Sequence, residues 1–370
     1  MSLSGLGVLY MVICVITIIV LVITVINYGK INLVLLLRKV YHKAFILIAL
    51  ILIGCSLDAK AQNMVSMASI HPVADTVGIS KNELAIRYPA LRRFGVSASF
   101  YGYSEFHAKV VDNTFATGQM KTQRVSSYFN TPAAHWDNNS LSATVFYTHT
   151  STELKEITGP FGELFSDKNT LDLALNYSRS DKIFDQAIIY SLVARAISDN
   201  LNTIRRFNFN GSFSLPLRKD DNTSFSLGLL VLIDPSAPFP VEPIVNYYRK
   251  FVPSGLELIV DLPNGVNLKK SVAKNTWLSI GSNQTSYSTF YNHHSGFLDG
   301  KVSYNTIELK SGAAFEYLFA KNIIVNVGGG INSFLASRLF KDGENYKRAS
   351  IRSTNKSSPY LTLGLSLLSF

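Results

Sequence analysis

Apolar and polar residues alternate with a period of two from about residue 93 to the end of the chain. The segment 207–215 places Phe and Leu on one parity and Asn and Ser on the other. The segment 306–319 does the same, but its polar parity carries both acids and bases. Side chains two residues apart share a face of a strand, so these strands have one apolar and one wet face. The pattern predicts an all-β chain.

Strand length and turn length distinguish a soluble sandwich from a membrane barrel. Alternation over 304–319 is far longer than the usual strand of about 5 to 6 residues, whereas a tilted membrane strand needs about 9 to 11. Short connections at 218–222 and 320–322 alternate with long ones at 151–169, 290–301 and 341–358. Short periplasmic turns and long external loops are typical of outer-membrane barrels. We therefore predict a closed antiparallel transmembrane β-barrel.

The alternation marks about 12 to 14 strands, with the first two showing the weakest pattern. An even number places both ends of the barrel on the periplasmic side. Pro235, Pro238, Pro240 and Pro243 would interrupt a strand interior, so we place them in an external connection and at the start of the next strand. The predicted strands are 93–104, 121–130, 140–150, 170–179, 184–196, 205–216, 223–233, 242–250, 255–262, 265–272, 276–289, 303–319, 322–338 and 358–370.

Two apolar segments precede the barrel. Residues 6–26 carry no charge and are long enough to cross a bilayer as a helix. Basic residues at 38–43, an apolar run at 44–55 and a small-x-small site follow in the order of a secretory signal peptide. We predict an upstream extension or transmembrane helix at 1–36, a signal peptide at 37–61, a short periplasmic segment at 62–92 and the outer-membrane barrel at 93–370.

Two processing routes compete at the end of the leader. Ala59 and Ala61, followed by Gln62, fit ordinary signal peptidase, which would release a chain beginning at Gln62. The run 52–55 also resembles a lipobox, in which Cys55 would be lipidated. We favour cleavage before Gln62 because an integral barrel needs no lipid anchor.

Composition narrows the chemistry of the barrel. Both cysteines, Cys14 and Cys55, precede it, which excludes a disulfide framework or a thiolate metal site downstream, and we expect no cofactor. The formal charge of +10 is spread along the chain. Export separates the protein from nucleic acid, so we expect no nucleic-acid partner. Basic residues near turns would contact outer-membrane lipid and lipopolysaccharide phosphates.

Charged residues on the polar parity are candidates for the barrel lumen. They would either neutralise one another in a narrow barrel or line a path for a small solute. The lumen-lining candidates are Asp172, Arg195, Glu257, Asp261, Lys269, Glu308, Lys310 and Glu316.

One spacing suggests an enzyme as an alternative. His293 and Ser295 stand two residues apart, so on a strand an imidazole could deprotonate the neighbouring hydroxyl. The spacing is similar to that of outer-membrane phospholipase and lipid A deacylase barrels. Asn292 and Gly296 favour a mobile loop instead, and His149 repeats the spacing with Ser151. We therefore expect no catalytic residues.

The C-terminal run 360–370 ends in an aromatic residue, like the signal read by the barrel-assembly machinery of Gram-negative bacteria. Tyr360, Leu368 and Phe370 would carry that signal; Leu368 and Phe370 lie off the parity of the preceding leucines, which implies a bulge or a frayed end. With the Pro-Phe-Pro segment at 238–240, Tyr247-Tyr248, Leu262-Pro263 and the strand at Trp277, the chain resembles an uncharacterised outer-membrane β-barrel domain family of Bacteroidota. The resemblance covers about 80–370 and implies fold and location but no activity.

We therefore expect an integral, porin-like outer-membrane barrel, acting as a narrow channel or a structural envelope protein. Its expected partners are lipid, the barrel-assembly machinery, the secretion translocon and a possible small solute. The alternatives are a lipid-modifying hydrolase using His293 and Ser295, and a surface binding module using the external loops.

Overall fold

The computed structural model describes residues 81–110, 113–158, 167–183, 186–200, 203–234, 237, 239–293, 300–341, 344 and 348–368. The predicted leader lies outside these residues, as do its cleavage site at Ala59, Ala61 and Gln62, and so does Phe370. Among the described residues, no helix has the length and apolar character needed to cross a bilayer.

Sixteen strands follow a short helix, α1 (Lys81–Arg87), and a 3-10 turn (Pro89–Leu91). The strands are β1 (Phe94–Tyr101), β2 (Ser104–Val110), β3 (Asn113–Trp136), β4 (Asn139–Thr158), β5 (Lys168–Ile183), β6 (Gln186–Ser198), β7 (Ile204–Asp220), β8 (Thr223–Ile233), β9 (Val241–Phe251), β10 (Leu256–Leu262), β11 (Gly265–Ala273), β12 (Thr276–His293), β13 (Gly300–Ala320), β14 (Ile323–Lys341), β15 (Ile351–Asn355) and β16 (Ser358–Leu367).

These strands close into a ring of fourteen, because two ring positions are each shared by two strands. β1 and β2 follow one another along β3, pairing with 123–129 and 113–120 respectively. β15 and β16 likewise follow one another along β14. β1 pairs with β16, and β2 pairs with β15. The first ring position, β1 with β2, therefore pairs with the last, β16 with β15, along both of its strands. The predicted closed antiparallel barrel is confirmed.

Several predicted boundaries were wrong. The first position breaks at 102–103 instead of ending at 104, and β3 extends to 113–136 instead of 121–130. The predicted loops at 151–169, 290–301 and 341–358 lose residues to β4, β12, β13 and β15. The added residues pair with long neighbouring strands. Strand segments that extend beyond the lipid do not need an apolar face, so their sequence shows no alternation of apolar and polar residues. Pro240 does precede β9, and Pro243 is its third residue.

Large apolar side chains cover the outer face of the ring. Leu173 and Leu175 on β5 are about half exposed, as are Phe207 and Phe209 on β7 and Leu361 on β16. Many more residues of the same parity share this exposure, among them valines, isoleucines and phenylalanines on most strands. A continuous exposed apolar surface of this extent requires lipid rather than water. The barrel therefore spans a membrane.

The external ends of β12, β13 and β14 fold inward as one sheet, which stays joined to the ring where Arg338 and Leu339 pair with β15. We call residues 284–293, 300–308 and 333–341 the inner sheet. β11 pairs with β12 only as far as Asn283, and above that point the lipid parity of β12 becomes polar. Thr170 Oγ1 on β5 donates to the Ser288 carbonyl at 3.0 Å, and Arg206 on β7 lies over the Phe290 and Phe340 rings at 5.6 Å. The inner sheet thus faces the wall formed by β5 to β7.

Candidate functional site: the closed lumen

An ion cluster holds the N-terminal segment in the periplasmic mouth. Arg92 Nη2 donates to Glu316 Oε1 at 2.7 Å, and Lys269 pairs with the other carboxylate oxygen. Arg92 belongs to the segment, and its Nε also donates to the Ala85 carbonyl within it at 3.0 Å. Lys269 comes from the wall strand β11, and its Nζ donates to the Ile86 carbonyl at 2.7 Å. Glu316 on β13 therefore anchors residues 85–92 through shared cations.

Aromatic contacts fix the same segment to the wall. The Arg87 guanidinium stacks on the Tyr248 ring of β9, 3.6 Å from its centroid. The Tyr128 hydroxyl of β3 donates to the Pro89 carbonyl at 3.0 Å. β9 and β3 lie on different sides of the ring, so residues 81–92 cross the mouth. We call these residues the N-terminal plug; they include the end of the predicted periplasmic segment 62–92.

A second cluster occupies the middle of the barrel. Arg124 on β3 makes a bidentate pair with Glu308 on β13, with distances of 3.1 and 3.2 Å, and donates to the Tyr101 hydroxyl at 3.0 Å. Its guanidinium also lies 3.4 Å from the centroid of the Tyr287 ring. Lys310 Nζ lies 5.1 Å from the centroid of the Tyr101 ring. Side chains from β1, β3, β12 and β13, which lie on one side of the ring, meet in this cluster.

The remaining predicted lumen residues also lie on the inner side of the wall and have partners. Asp172 on β5 pairs with Arg195 on β6, and both are buried. Glu257 on β10 accepts a hydrogen bond from the Tyr248 hydroxyl at 3.1 Å. Asp261 accepts a bond from the turn between β10 and β11. Asp172 and Arg195 therefore neutralise one another, whereas Glu257 and Asp261 are held by neutral donors.

The cavity beside the central cluster is small, about 20 Å³. A water molecule needs about 10–15 Å³ of such space, so the cavity holds one water and no solute. Threonine hydroxyls of β3, β4, β12 and β13 line it together with Arg124 and Glu308. The plug, the central cluster and the inner sheet together close the axial route.

Among the described residues, sequence reasoning missed four buried charged residues of the interior: Arg87, Arg92, Arg124 and Glu242. Arg92 lies just before the first predicted strand, and Arg124 lies on the lumen parity of the second. Glu242 was placed at a strand start beside prolines. For Arg124 and Glu242 a signal was present, since a charge among membrane strands is expected to face the lumen. The burial of Arg92 depends on the plug, and no alternation of apolar and polar residues predicts that segment.

The predicted catalytic pair is not assembled by the described residues. His293 ends β12 and pairs with Gly300, so its backbone is in a strand and not in the loop that we expected. Its side chain and Ser295 lie outside the described residues. The described residues also contain no group of three His, Cys, Asp or Glu side chains that could hold a metal ion.

Two predicted assembly-signal residues are described. Tyr360 on β16 pairs with Tyr101 and Gly330 on its neighbouring strands. β16 ends at Leu367, and Leu368 turns inward to pack with Ala85 and Ile324. The change of parity is thus a strand end and not a bulge.

No protein-family model and no curated protein matches the chain. An outer membrane channel from Pseudomonas putida F1 has 8% identity and a TM-score of 0.32, covering 75% of this chain and 96% of that one. A Pseudomonas aeruginosa FadL homologue has 9% identity and a TM-score of 0.35, with 84% and 96% covered. Outer membrane phospholipase A from Escherichia coli has 7% identity and a TM-score of 0.27, with 73% and 89% covered.

Because the TM-scores and identities are this low, these similarities carry no argument beyond the observed ring of strands. The even number of strands, the short turns at one end and the lipid-facing belt are those of a bacterial outer-membrane barrel. The chain is an outer-membrane β-barrel.

Proposed function

We propose that the protein is a gated channel for small solutes and that the described arrangement is its closed state. The observation that carries this proposal is the N-terminal plug. A barrel that served only as a structural element could fill its mouth with wall side chains. Here a separate segment crosses the mouth, and two of its polar anchors, through Arg92 and Lys269, converge on one carboxylate, Glu316.

The anchoring is suited to release. Glu316 accepts from both Arg92 and Lys269, so loss of its charge weakens both attachments together. Charge-assisted hydrogen bonds contribute about 1.5–3 kcal/mol each, so neutralising Glu316 shifts the plug substantially without touching the lipid-facing belt. The solute would pass through a lumen lined with Ser, Thr and Asn hydrogen-bonding groups.

We further propose that a secretory leader directs the chain through the translocon and that the barrel-assembly machinery inserts it into the outer membrane of a Gram-negative bacterium. The lipid-facing belt supports membrane insertion, and the leader pattern at 37–61 supports export.

Single-channel conductance in planar bilayers tests the proposal. The wild-type barrel should show rare, small openings, and Glu316→Gln should raise the open fraction at least tenfold. Glu153→Gln, at an exposed carboxylate on β4, is the matched control and should behave as wild type. Folding of each variant is checked by the heat-dependent shift in gel mobility. Equal conductance of wild type and Glu316→Gln would refute the plug as the gate of a channel.

A further inference from the structure

The barrel wall is too short at the β10–β11 hairpin. β10 has 7 residues and β11 has 9, whereas β12 has 18. A tilted strand needs about 9 to 11 residues to cross the hydrocarbon layer. β10 reaches only Val245 of β9, and β11 reaches only Asn283 of β12. The edges of β9 at 241–244 and of β12 above Asn283 therefore flank a lateral notch two strands wide.

The notch borders a buried part of the wall at the start of β9. There, Leu230 and Leu232 of β8 and Ile244 of β9 form a buried apolar cluster, against which Ala237 packs. At the other edge of the notch, the face of β12 that would meet lipid in a regular barrel carries Gln, Ser and Ser at 284, 286 and 288. The notch thus has an apolar cluster at one edge and polar side chains at the other.

Glu242 lies on the lumen face of β9 at the height of the notch. It is only 3% exposed, and it stands directly opposite Leu230 in the β8–β9 pairing. Neither carboxylate oxygen has a hydrogen-bond partner among the described residues. Glu308 and Glu316, in contrast, are both paired with arginine. Burying a carboxyl group without a partner costs several kcal/mol, so a structural role does not account for Glu242.

We infer that Glu242 and the apolar cluster form a binding site for a small amphiphile with a primary amine head and a short alkyl chain. The ammonium group would donate to both oxygens of Glu242, and the chain would pack against Leu230, Leu232 and Ile244 in place of the groups that now bury them. The ligand reaches the site through the lateral notch, since the axial route is closed. This inference deepens the proposed function because it names a solute class. Transport of the ligand rests on the proposed channel, whereas binding of the ligand does not.

Binding is measured by calorimetry on the full barrel in lipid nanodiscs, with empty nanodiscs as the blank. Hexylamine is the probe, and hexanol and hexanoate carry the same chain with a neutral and an anionic head. Hexylamine should bind at least tenfold more tightly than hexanoate, which corresponds to about 1.4 kcal/mol. Equal binding of the three molecules would overturn the inference, because only the chain would then be recognised.

Glu242→Gln keeps the shape and removes the charge, so it should weaken hexylamine binding at least tenfold and leave hexanol unchanged. Glu257→Gln is the matched control, because Glu257 is also a lumen carboxylate but has Tyr248 as its partner. Unchanged hexylamine binding in Glu242→Gln would refute the site. Calorimetry does not depend on plug release, so a barrel without conductance that still binds hexylamine separates this inference from the proposed channel.

Discussion

Removing the carboxylate of Glu308 should strongly destabilise the barrel. Glu308 is 1% exposed and Arg124 is 6% exposed, so neither charge is solvated by bulk water. Glu308→Ala removes both contacts of the bidentate pair and leaves the guanidinium buried without its counterion. Breaking such a pair from one side costs about 3–5 kcal/mol, and we expect that loss in the free energy of unfolding.

The double variant Arg124→Met with Glu308→Met gives the decisive comparison. With both charges replaced by apolar groups of similar length, no uncompensated charge remains, and stability should return to within about 1–2 kcal/mol of wild type. If each single Met substitution costs about 3–5 kcal/mol, the coupling energy between the two positions should be at least about 4 kcal/mol.

The assay is urea unfolding of the barrel in lipid vesicles, followed by the fluorescence of Trp136 and Trp277. Single and double variants are compared at the same lipid-to-protein ratio. Additive losses, with a coupling below about 0.5 kcal/mol, would refute the view that the pair acts as one buried unit.

Three further predictions concern packing, lipid contact and catalysis. Gly330→Ala should sharply lower the yield of heat-modifiable barrel on gels, because the added Cβ would lie 2.1 Å from the Ser311 carbonyl oxygen; Gly211→Ala, whose Cβ would meet its nearest neighbour at 3.5 Å, should fold normally. Leu363→Arg should cost about 2–4 kcal/mol in the same urea titration if the residue lies near the bilayer midplane. Ser295→Ala should leave lipid-ester hydrolysis by purified barrel at the level of the blank, and Ser295-dependent turnover would favour the hydrolase alternative.

The wall of the barrel was predictable from the sequence because lipid and lumen impose opposite chemistry on alternate residues. Leu171, Leu173 and Leu175 reveal their face without any tertiary information, and Asp172 between them reveals the other. The even count of strands follows from the same signal. Alternation could not predict how far the strands extend beyond the lipid. There β4 carries Thr and Ser on both faces, so it continues to pair with its neighbours although its sequence no longer alternates.

The interior was harder to predict because its contacts join distant parts of the chain. Glu308 and Glu316 were placed in the lumen by parity, but parity cannot show that their partners are Arg124 and Arg92. The inward turn of β12 did leave a trace, since Ser286 and Ser288 stand where lipid would require apolar residues. That trace predicts a departure from the ring but not its direction.

The N-terminal plug also constrains the order of assembly. Arg92 Nη1 donates to Ser366 Oγ at 3.1 Å, and Ala85 packs against Leu368, so two of the plug's contacts belong to the last strand and the residue after it. Until that strand has joined the ring, those contacts do not exist. The first described residues of the chain therefore complete their contacts only after its last strand is in place, so the full set of plug contacts marks the end of barrel closure.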